Sequence, residues 1–396
     1  MDELEKDPGI MPMKKWIGLL ALLTAFPALS TSMYLPAIPS LVRNWQEPLW
    51  FINLTLVGFF VVYSSFLLVY GPFSDRFGRR PLLKIGIGFY VVASFLCALS
   101  PNAISLIAFR MIQAAGGASA SSLALAVSRD VFDARDREKV LAYLGVVVAL
   151  APMLSPVIGG WIIARFSWQW IFVILGGMGL IAFLGVHRMP ETLRQTSQTP
   201  RTKFLSNYGH LIRNRRYMGL TLVVSLGSIP IFSFIAASSD IYITQIGLSE
   251  QVYGYFFGFN AMALMLGAFV CTRLNRLISS RDIITMGFIG LIIGGTWLIL
   301  TPQDSPWDLA LPMFVISFAS GLSRPPSNNL VLEQVNRGAG AAASFLMFSL
   351  MTSGAAAMWF GSLNWNDKIQ VLGIMAAASG VAGLVCWLVM RKTSDL

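Results

Sequence analysis

The residues best able to do chemistry are charged side chains beside or inside long apolar stretches. Asp75 and Arg79 stand four residues apart in a short polar interval, while Arg110, Asp240 and Arg324 interrupt apolar runs. A carboxyl or guanidinium group in an apolar environment can pair with an opposite charge, bind an ion or exchange a proton. These residues therefore indicate ion pairing and proton movement.

Signals for catalysis are missing from the sequence. Both histidines, His187 and His210, flank a polar central stretch, and no nucleophile–base set accompanies them. A Gly-Lys-Ser/Thr phosphate-binding loop is also missing, so ATP is not expected to drive this protein. The three cysteines lie in separate apolar runs and indicate neither a disulfide nor a metal site. We therefore expect no enzyme, no cofactor and no metal.

The composition indicates an integral membrane protein. Of the 396 residues, 55% are hydrophobic and 12% are charged, and the mean hydropathy is +0.66. A soluble domain usually carries about 25% charged residues. The apolar runs are long and do not alternate with polar residues, which favours helices over strands.

Twelve candidate membrane segments divide into two sets of six, which predicts an all-α membrane protein of two pseudo-symmetric six-helix bundles. The basic stretch 189–216 would be a cytoplasmic linker between an N-terminal bundle, 1–188, and a C-terminal bundle, 217–396. The predicted segments are 15–36, 50–72, 82–100, 104–128, 139–164, 169–188, 217–244, 251–275, 284–301, 309–332, 339–362 and 367–390.

The net charge of +10 is explained by topology. Of the 29 Lys and Arg residues, all but Arg43, Arg165, Lys368, Arg110 and Arg324 fall in segments on one side of the predicted membrane. Basic residues concentrate in cytoplasmic loops, so both termini should be cytoplasmic. No nucleic-acid partner is needed to account for the charge; the expected partners are the lipid bilayer and small molecules, with the chain a monomer.

The polar interval Gly71–Arg80 predicts a short hinge between segments 2 and 3. Asp75 and Arg79 could pair across one turn, or Arg79 could reach Asp130 at the end of segment 4. Such a cluster would hold two helix ends together in one conformational state of the protein. The alternative is that these charges only hold the loop inside the cell.

Two arginines lie well inside predicted helices. Arg110, with Gln113 one turn further on, would need a partner or a functional role, unless it snorkels to the surface. Arg324 precedes Pro325 and Pro326, which break helical hydrogen bonding. It could attract an anionic substrate, or it could pair with Asp240.

Several motifs resemble those of the major facilitator superfamily. The interval Gly71–Arg80 matches the family's loop signature, and segment 4 resembles its Arg-x-x-Gln-Gly motif through Arg110 and Gln113. Segment 5 is similar to the Gly-Pro-x-x-Gly-Gly motif of antiporters, with Ser155 replacing the first glycine. The stretch 33–39 resembles the bicyclomycin/chloramphenicol-resistance subgroup of drug:proton antiporters.

The resemblance implies a twelve-helix transporter of the bacterial inner membrane that exports small hydrophobic drugs in exchange for protons. One position departs from the subgroup: Ser32 stands where an acid commonly precedes Met-Tyr-Leu-Pro. We therefore expect Asp240, aided by Arg110 or Arg324, to carry the proton, unless segment 7 ends earlier and Asp240 is wetted at the outer surface. The alternative function is export of one metabolite, or uniport without proton coupling.

Two further sets of residues complete the expectations. Aromatic and polar side chains at inward positions suit varied apolar ligands. Gating between the two states should involve glycine and proline residues within the helices, together with the charged residues of the interval Gly71–Arg80 and Asp130. The substrate candidates are Tyr34, Tyr63, Gln113, Phe256, Asn260 and Phe348; the gating candidates are Gly71, Asp75, Gly78, Arg79, Asp130, Pro156, Gly159 and Gly160.

Overall fold

The computed structural model describes residues 12–193, 208–302, 305–335 and 338–393. These residues are largely helical, and no β-strand occurs among them. The N-terminal half contains α1 (Met13–Ser32), a 3₁₀ turn (Leu35–Ala37), α2 (Ile38–Trp45), α3 (Leu49–Ile52), α4 (Leu54–Phe77), α5 (Arg79–Ala98), α6 (Ala103–Val131), α7 (Ala134–Ile163) and α8 (Gln169–Arg188).

The C-terminal half repeats this helical organisation. It contains helical residues 208–213 (α9), then α10 (Arg215–Leu226), α11 (Ile229–Ser239), a π-helical turn (Asp240–Gln245), α12 (Glu250–Leu274), α13 (Ser280–Leu300), α14 (Pro306–Glu333), α15 (Ala339–Gly361) and α16 (Lys368–Thr393).

All twelve predicted segments are helical. In the described part of the chain, eleven helical stretches are long and apolar enough to cross a membrane. The twelfth segment is α14, whose Arg324, serines and three internal prolines make it more polar. Its 28 residues give a length of about 42 Å, which exceeds the hydrocarbon thickness of a bilayer. It packs along both α12 and α13.

Short polar side chains fix where many of these helices begin. The Asn102 side chain accepts a hydrogen bond from the Ser105 amide, and Asp133 accepts one from the Asp136 amide. Ser249 and Ser305 cap the starts of α12 and α14 in the same way. These caps satisfy amides that lack partners within the helix, so the polar residues between apolar runs define the helix ends.

The predicted hinge is much shorter than the interval Gly71–Arg80. Helix α4 continues through Asp75 to Phe77, and α5 begins at Arg79, so that Gly78 alone lies between them. Gly78 has φ of 95°, a conformation that strains residues with a side chain. The expectation of a loop over the whole interval is therefore wrong, because residues 71–77 form about the last two turns of α4.

Predicted segment 7 is interrupted. The helix breaks at Gly227 and Ser228 between α10 and α11, and it widens into a π-helical turn from Asp240. Pro230 lies at the start of α11, where its missing amide hydrogen leaves no bond unmade. The interruption at residues 227–228 borders a recess that Arg324 also lines.

The helices form two bundles with a defined polarity. Helices α1 to α8 pack mainly on one another, as do α10 to α16. We call the end that carries Arg79, Asp130 and Arg391 the basic face, and the end that carries Arg43 and Lys368 the opposite face. Since successive long helices run in alternating directions, the charge asymmetry of the sequence becomes an asymmetry between the two ends.

The bundles meet along α7 with α12 and along α4 with α15. Near the opposite face, a methyl group on Gly254 would lie 2.8 Å from the Pro156 carbonyl oxygen, and one on Gly160 would overlap the Glu250 carbonyl oxygen. These helices therefore touch backbone to backbone, which only small residues permit. In this state the bundles are closed against each other toward the opposite face.

We expect Gly254→Ala to destabilise the protein, because the added methyl group must push α7 and α12 apart. Gly145→Ala is the matched control, since nothing lies within 4 Å of a methyl group at that position and alanine is the better helix former. Thermal unfolding in detergent should show a lower midpoint for Gly254→Ala only. Equal midpoints for the two variants would contradict the tight contact between bundles.

Candidate functional site

Arg79 is the centre of an ion-pair cluster at the basic face. Its Nη1 atom lies 2.6 Å from Asp75 Oδ1, and its Nε atom lies 2.9 Å from Asp130 Oδ2. Nη1 also donates to the hydroxyl of Ser74. Arg79 is only 8% exposed, so the guanidinium is enclosed by its partners. Both pairings considered from the sequence occur together, and they join the ends of α4, α5 and α6.

Glu191 completes this cluster and was missed in the sequence. Its carboxylate accepts hydrogen bonds from the amides of Arg79 (2.9 Å) and Arg80 (3.1 Å), the first two residues of α5. Because Gly78 offers no side chain to cap the helix, the carboxylate beyond α8 takes that role and also faces the positive end of the helix dipole. Its only sequence signal was an acid directly after a predicted helix end. We call Asp75, Arg79, Asp130 and Glu191 the Arg79 cluster.

Arg110 is completely buried in α6 and lies among rings and neutral oxygens. Its Nη1 atom donates to the Ser30 carbonyl (2.8 Å) and to Gln113 Oε1 (2.7 Å). Its guanidinium carbon lies 4.5 Å from the ring centre of Phe59 and 5.0 Å from that of Tyr34. Nε and Nη2 have no hydrogen-bond partner. Arg110 therefore does not snorkel to the surface.

A chain of neutral hydrogen bonds fixes the surroundings of Arg110. Gln113 Nε2 donates to Ser94 Oγ (2.8 Å), and the Ser30 and Tyr90 hydroxyls lie 2.7 Å apart. Within the described residues, no carboxylate forms an ion pair with Arg110. Ser32, where the subgroup commonly has an acid, is buried and supplies no charge. The arginine is stabilised by cation–π contacts and hydrogen bonds alone.

Asp240 has a partner that the sequence did not suggest. Its Oδ2 atom lies 2.6 Å from Lys368 Nζ, and Gln245 Nε2 donates to the same oxygen at 3.1 Å. Both side chains of the ion pair are 12% exposed. The expectation that Asp240 would face Arg324 or Arg110 is wrong, because Lys368, the first residue of α16, occupies that place near the opposite face. Asp240 is buried rather than wetted, at 9% exposure.

Arg324 lies in a recess of the C-terminal bundle. The recess is bordered by the break between α10 and α11 and by α14, and it is open to the outside of the bundle. The Arg324 side chain is exposed to this space, and no described residue forms a hydrogen bond or an ion pair with it. The arginine is therefore accessible and without a counter-charge among the described residues.

Comparison with known proteins places this architecture in a family. Residues 20–359 match the sequence profile of the Major Facilitator Superfamily. The chain belongs to this superfamily. The bicyclomycin resistance protein homolog of Haemophilus influenzae is 28% identical over 87% of this chain and 92% of its own length. Multidrug resistance protein D of Escherichia coli K12 is 25% identical over 93% and 94%.

A solved structure shows the same fold. The D-xylose-proton symporter superposes with a TM-score of 0.73 over 96% of both chains, at 16% identity. The fold and the family predicted from the hinge motif are thus confirmed. Since the superfamily is one of transporters, the chain is a multi-pass membrane transporter of this family and not an enzyme. In the described residues, no group of three or more His, Cys, Asp or Glu side chains could hold a metal ion.

The substrate candidates of this facilitator do not form one pocket. Tyr34, Gln113 and Tyr63 lie buried in the N-terminal bundle: the first two contact Arg110, and Tyr63 stacks on Phe59. In the C-terminal bundle, Asn260 is buried one turn from Phe256, which packs on Tyr242 and Trp307, and Phe348 packs on Phe345. Their role in binding stays a prediction.

The gating candidates of the facilitator separate into three groups. Pro156 and Gly160 lie in the contact between α7 and α12, and Gly159 abuts the Met33 carbonyl within the N-terminal bundle. Asp75, Gly78, Arg79 and Asp130 lie in or beside the Arg79 cluster. Gly71 differs, because a methyl group there would meet nothing within 4 Å, so close packing does not require a glycine.

Replacing Glu191 by Ala should destabilise the facilitator, because the amides of the first two residues of α5 lose their side-chain acceptor. Loss of a capping side chain typically costs about 1 kcal/mol. Glu138→Ala is the control, since that glutamate is exposed on the same face. Thermal unfolding should show a lower midpoint for Glu191→Ala alone, and hydrogen exchange should be faster at the start of α5. Unchanged exchange there would contradict the capping role.

Proposed function

We propose that this facilitator exports small hydrophobic or amphiphilic compounds by alternating access, in exchange for protons. The observation that carries the proposal is the family match over residues 20–359, together with full-length relatives named for bicyclomycin and multidrug resistance.

The placement in the cell follows from charge. The basic residues at one face support an orientation in which that face is cytoplasmic, with both termini inside and the protein in the bacterial inner membrane. We propose residues 1–188 and 217–396 as the two bundles and 189–216 as the linker; residues 194–207 of that linker lie outside the described residues. The protein would act as a monomer, because a facilitator's pathway lies between its own two bundles.

Alternating access requires contacts that can exchange between the two faces. The close packing of α7 on α12 toward the opposite face supports an inward-facing state. In this proposal the Arg79 cluster holds the basic ends of α4, α5 and α6 as one rigid unit while the bundles rock. Breaking its ion pairs would loosen that unit and alter the balance between states.

Proton coupling is assigned to Asp240. Among the described acids, it lies furthest from the ends of its predicted membrane segment. Its Oδ2 atom lies 2.6 Å from Nζ of Lys368, the first residue of α16. A proton on Asp240 would remove the attraction for Lys368 and free the two helices to separate. Arg110 and Arg324 would contribute fixed positive charge rather than the titrating group.

A second candidate function is uniport, or export of one metabolite, without protons. The observation that favours it is that Arg110 contacts the Ser30 carbonyl and Gln113 and no acid among the described residues, while Ser32 supplies no carboxylate. A transporter that has lost this carboxylate could operate on the substrate gradient alone.

The central test uses purified protein in liposomes that enclose a pH-sensitive dye, with an imposed pH gradient. Under the export proposal, two or more of neutral chloramphenicol, cationic rhodamine 6G and anionic fluorescein should speed the loss of the gradient. Protein-free liposomes provide the background rate. Substrate flux without proton movement, or a response to a single compound, would instead support the second candidate.

Asp240→Asn should abolish substrate-induced proton movement, since the amide cannot titrate. Because this change also leaves Lys368 without its counter-charge, the double variant Asp240→Asn with Lys368→Gln separates coupling from stability. Under the proposal the double variant folds but stays uncoupled. Glu47→Gln, which removes a carboxylate from the same face, should behave as wild type. Normal proton movement in the double variant would show that the pair is structural only.

A further inference from the structure

We infer that the recess around Arg324 binds the anionic group of the transported compound, so that this facilitator prefers amphiphiles carrying a carboxylate or a similar oxyanion. The inference rests on the proposed transport function and specifies the substrate class for it. Three observations support it: an accessible arginine without a counter-charge, a second free donor beside it, and apolar side chains that line the same recess.

The charge balance of the recess is the first observation. None of the residues lining it is acidic, and Arg324 has no ion pair or hydrogen bond with any described residue. Asp240, which is buried elsewhere in the C-terminal bundle, already pairs with Lys368 and so does not balance the charge of Arg324. A guanidinium offers five donors in a planar fork that matches an oxyanion. Charged residues inside membrane proteins are rare and mark substrate or ion pathways, so an accessible cation without a counter-charge is a candidate binding group.

The hydroxyl groups around Arg324 are the second observation. Ser320 and Ser323 donate to carbonyl oxygens of their own helix, to Ile316 (2.8 Å) and Ala319 (3.0 Å). Ser327, three residues after Arg324, makes no hydrogen bond with a described residue and also lines the recess. Positions three apart share a helix face, so Arg324 and Ser327 present donors to the same space. The Arg324 guanidinium and the Ser327 hydroxyl can therefore both donate hydrogen bonds to one anion in the recess.

The apolar part of the recess is the third observation. Phe232, Phe288 and Leu264 line it, so apolar surface lies beside the guanidinium group. Phe232 also packs edge-on against Phe60 of the N-terminal bundle, with ring centres 5.2 Å apart. The recess therefore reaches the interface along which the two bundles move, as a substrate site must.

The depth of Arg324 favours a transported compound over a lipid headgroup. Nine residues separate it from the end of α14 at Glu333, which is about 14 Å along the helix. A phosphate of the bilayer lies at the membrane surface, whereas an amphiphilic anion that enters between the bundles can reach this level. Both ligands share the oxyanion chemistry, and the experiment separates them.

The test measures equilibrium binding by fluorescence polarisation to protein in phosphatidylcholine nanodiscs at pH 8. Fluorescein is the anionic probe, and rhodamine 6G is the cationic probe on the same ring system. Wild type should bind fluorescein about tenfold more tightly than rhodamine 6G, and Arg324→Gln should weaken fluorescein binding about tenfold or more, as expected for loss of a charge-assisted hydrogen bond. Rhodamine 6G binding should not weaken.

Two further variants and one lipid control make the result decisive. Arg324→Lys keeps the charge and should retain most of the fluorescein affinity, which separates charge from folding. Arg276→Gln removes an exposed positive charge from the same bundle and should leave binding unchanged. Nanodiscs containing phosphatidylglycerol should bind fluorescein as well as those without; strong competition by that lipid would overturn the inference in favour of a headgroup site.

Other outcomes are equally clear. If Arg324→Gln, folded with a normal unfolding midpoint, binds fluorescein as wild type does, the inference is wrong. If wild type moves chloramphenicol and rhodamine 6G in liposomes but does not prefer fluorescein, the export proposal survives and the anion preference fails. If none of the three compounds is moved while Arg324-dependent fluorescein binding persists, the site stands and the export proposal fails.

Discussion

The cost of placing charge in a membrane is the constraint on which this structure depends. A bilayer provides no water to solvate an ion, so each internal charge must be paired, surrounded by polarisable groups or exposed to a water-filled cavity. The chain meets this requirement in four ways. Arg79 has two carboxylates, Asp240 has a lysine, Arg110 has rings and neutral oxygens, and Arg324 has an open recess.

These four solutions differ in how readily they can change. The Arg79 cluster joins three helix ends within one bundle. The Asp240–Lys368 pair joins the π-helical turn to the start of α16, and helix movement or a proton on the carboxylate would break it. The surroundings of Arg110 are fully packed and need no exchange of partner. Of the four, only Arg324 is exposed and has neither an ion pair nor a hydrogen bond with a described residue. A transporter that recognises a polar substrate needs internal donors or charges without protein partners. A group that already has its partners in the protein would gain little free energy by binding the substrate.

The sequence was most informative where local spacing determines structure. Twelve apolar runs gave twelve helical segments, and the motif around Asp75 and Arg79 indicated the family. It was uninformative where contacts join distant parts of the chain. Glu191 reaches α5 across 112 residues, and Lys368 reaches Asp240 across 128. The periodicity of a sequence does not encode such pairs. The end of α4, where most of the predicted hinge lies, has the polar composition of a loop, so the sequence did not distinguish the two.

Ser32 stands where the subgroup commonly has an acid, and this difference bears on where a proton could act. Ser32 supplies no charge, and no carboxylate among the described residues pairs with Arg110. In the proposal, coupling acts instead through the C-terminal bundle, where Asp240 and Arg324 both lie. Substrate anion and proton would be handled in the same half of the molecule, at separate depths of the membrane. The N-terminal bundle, rigid around Arg110 and Arg79, would serve as the frame against which that half moves.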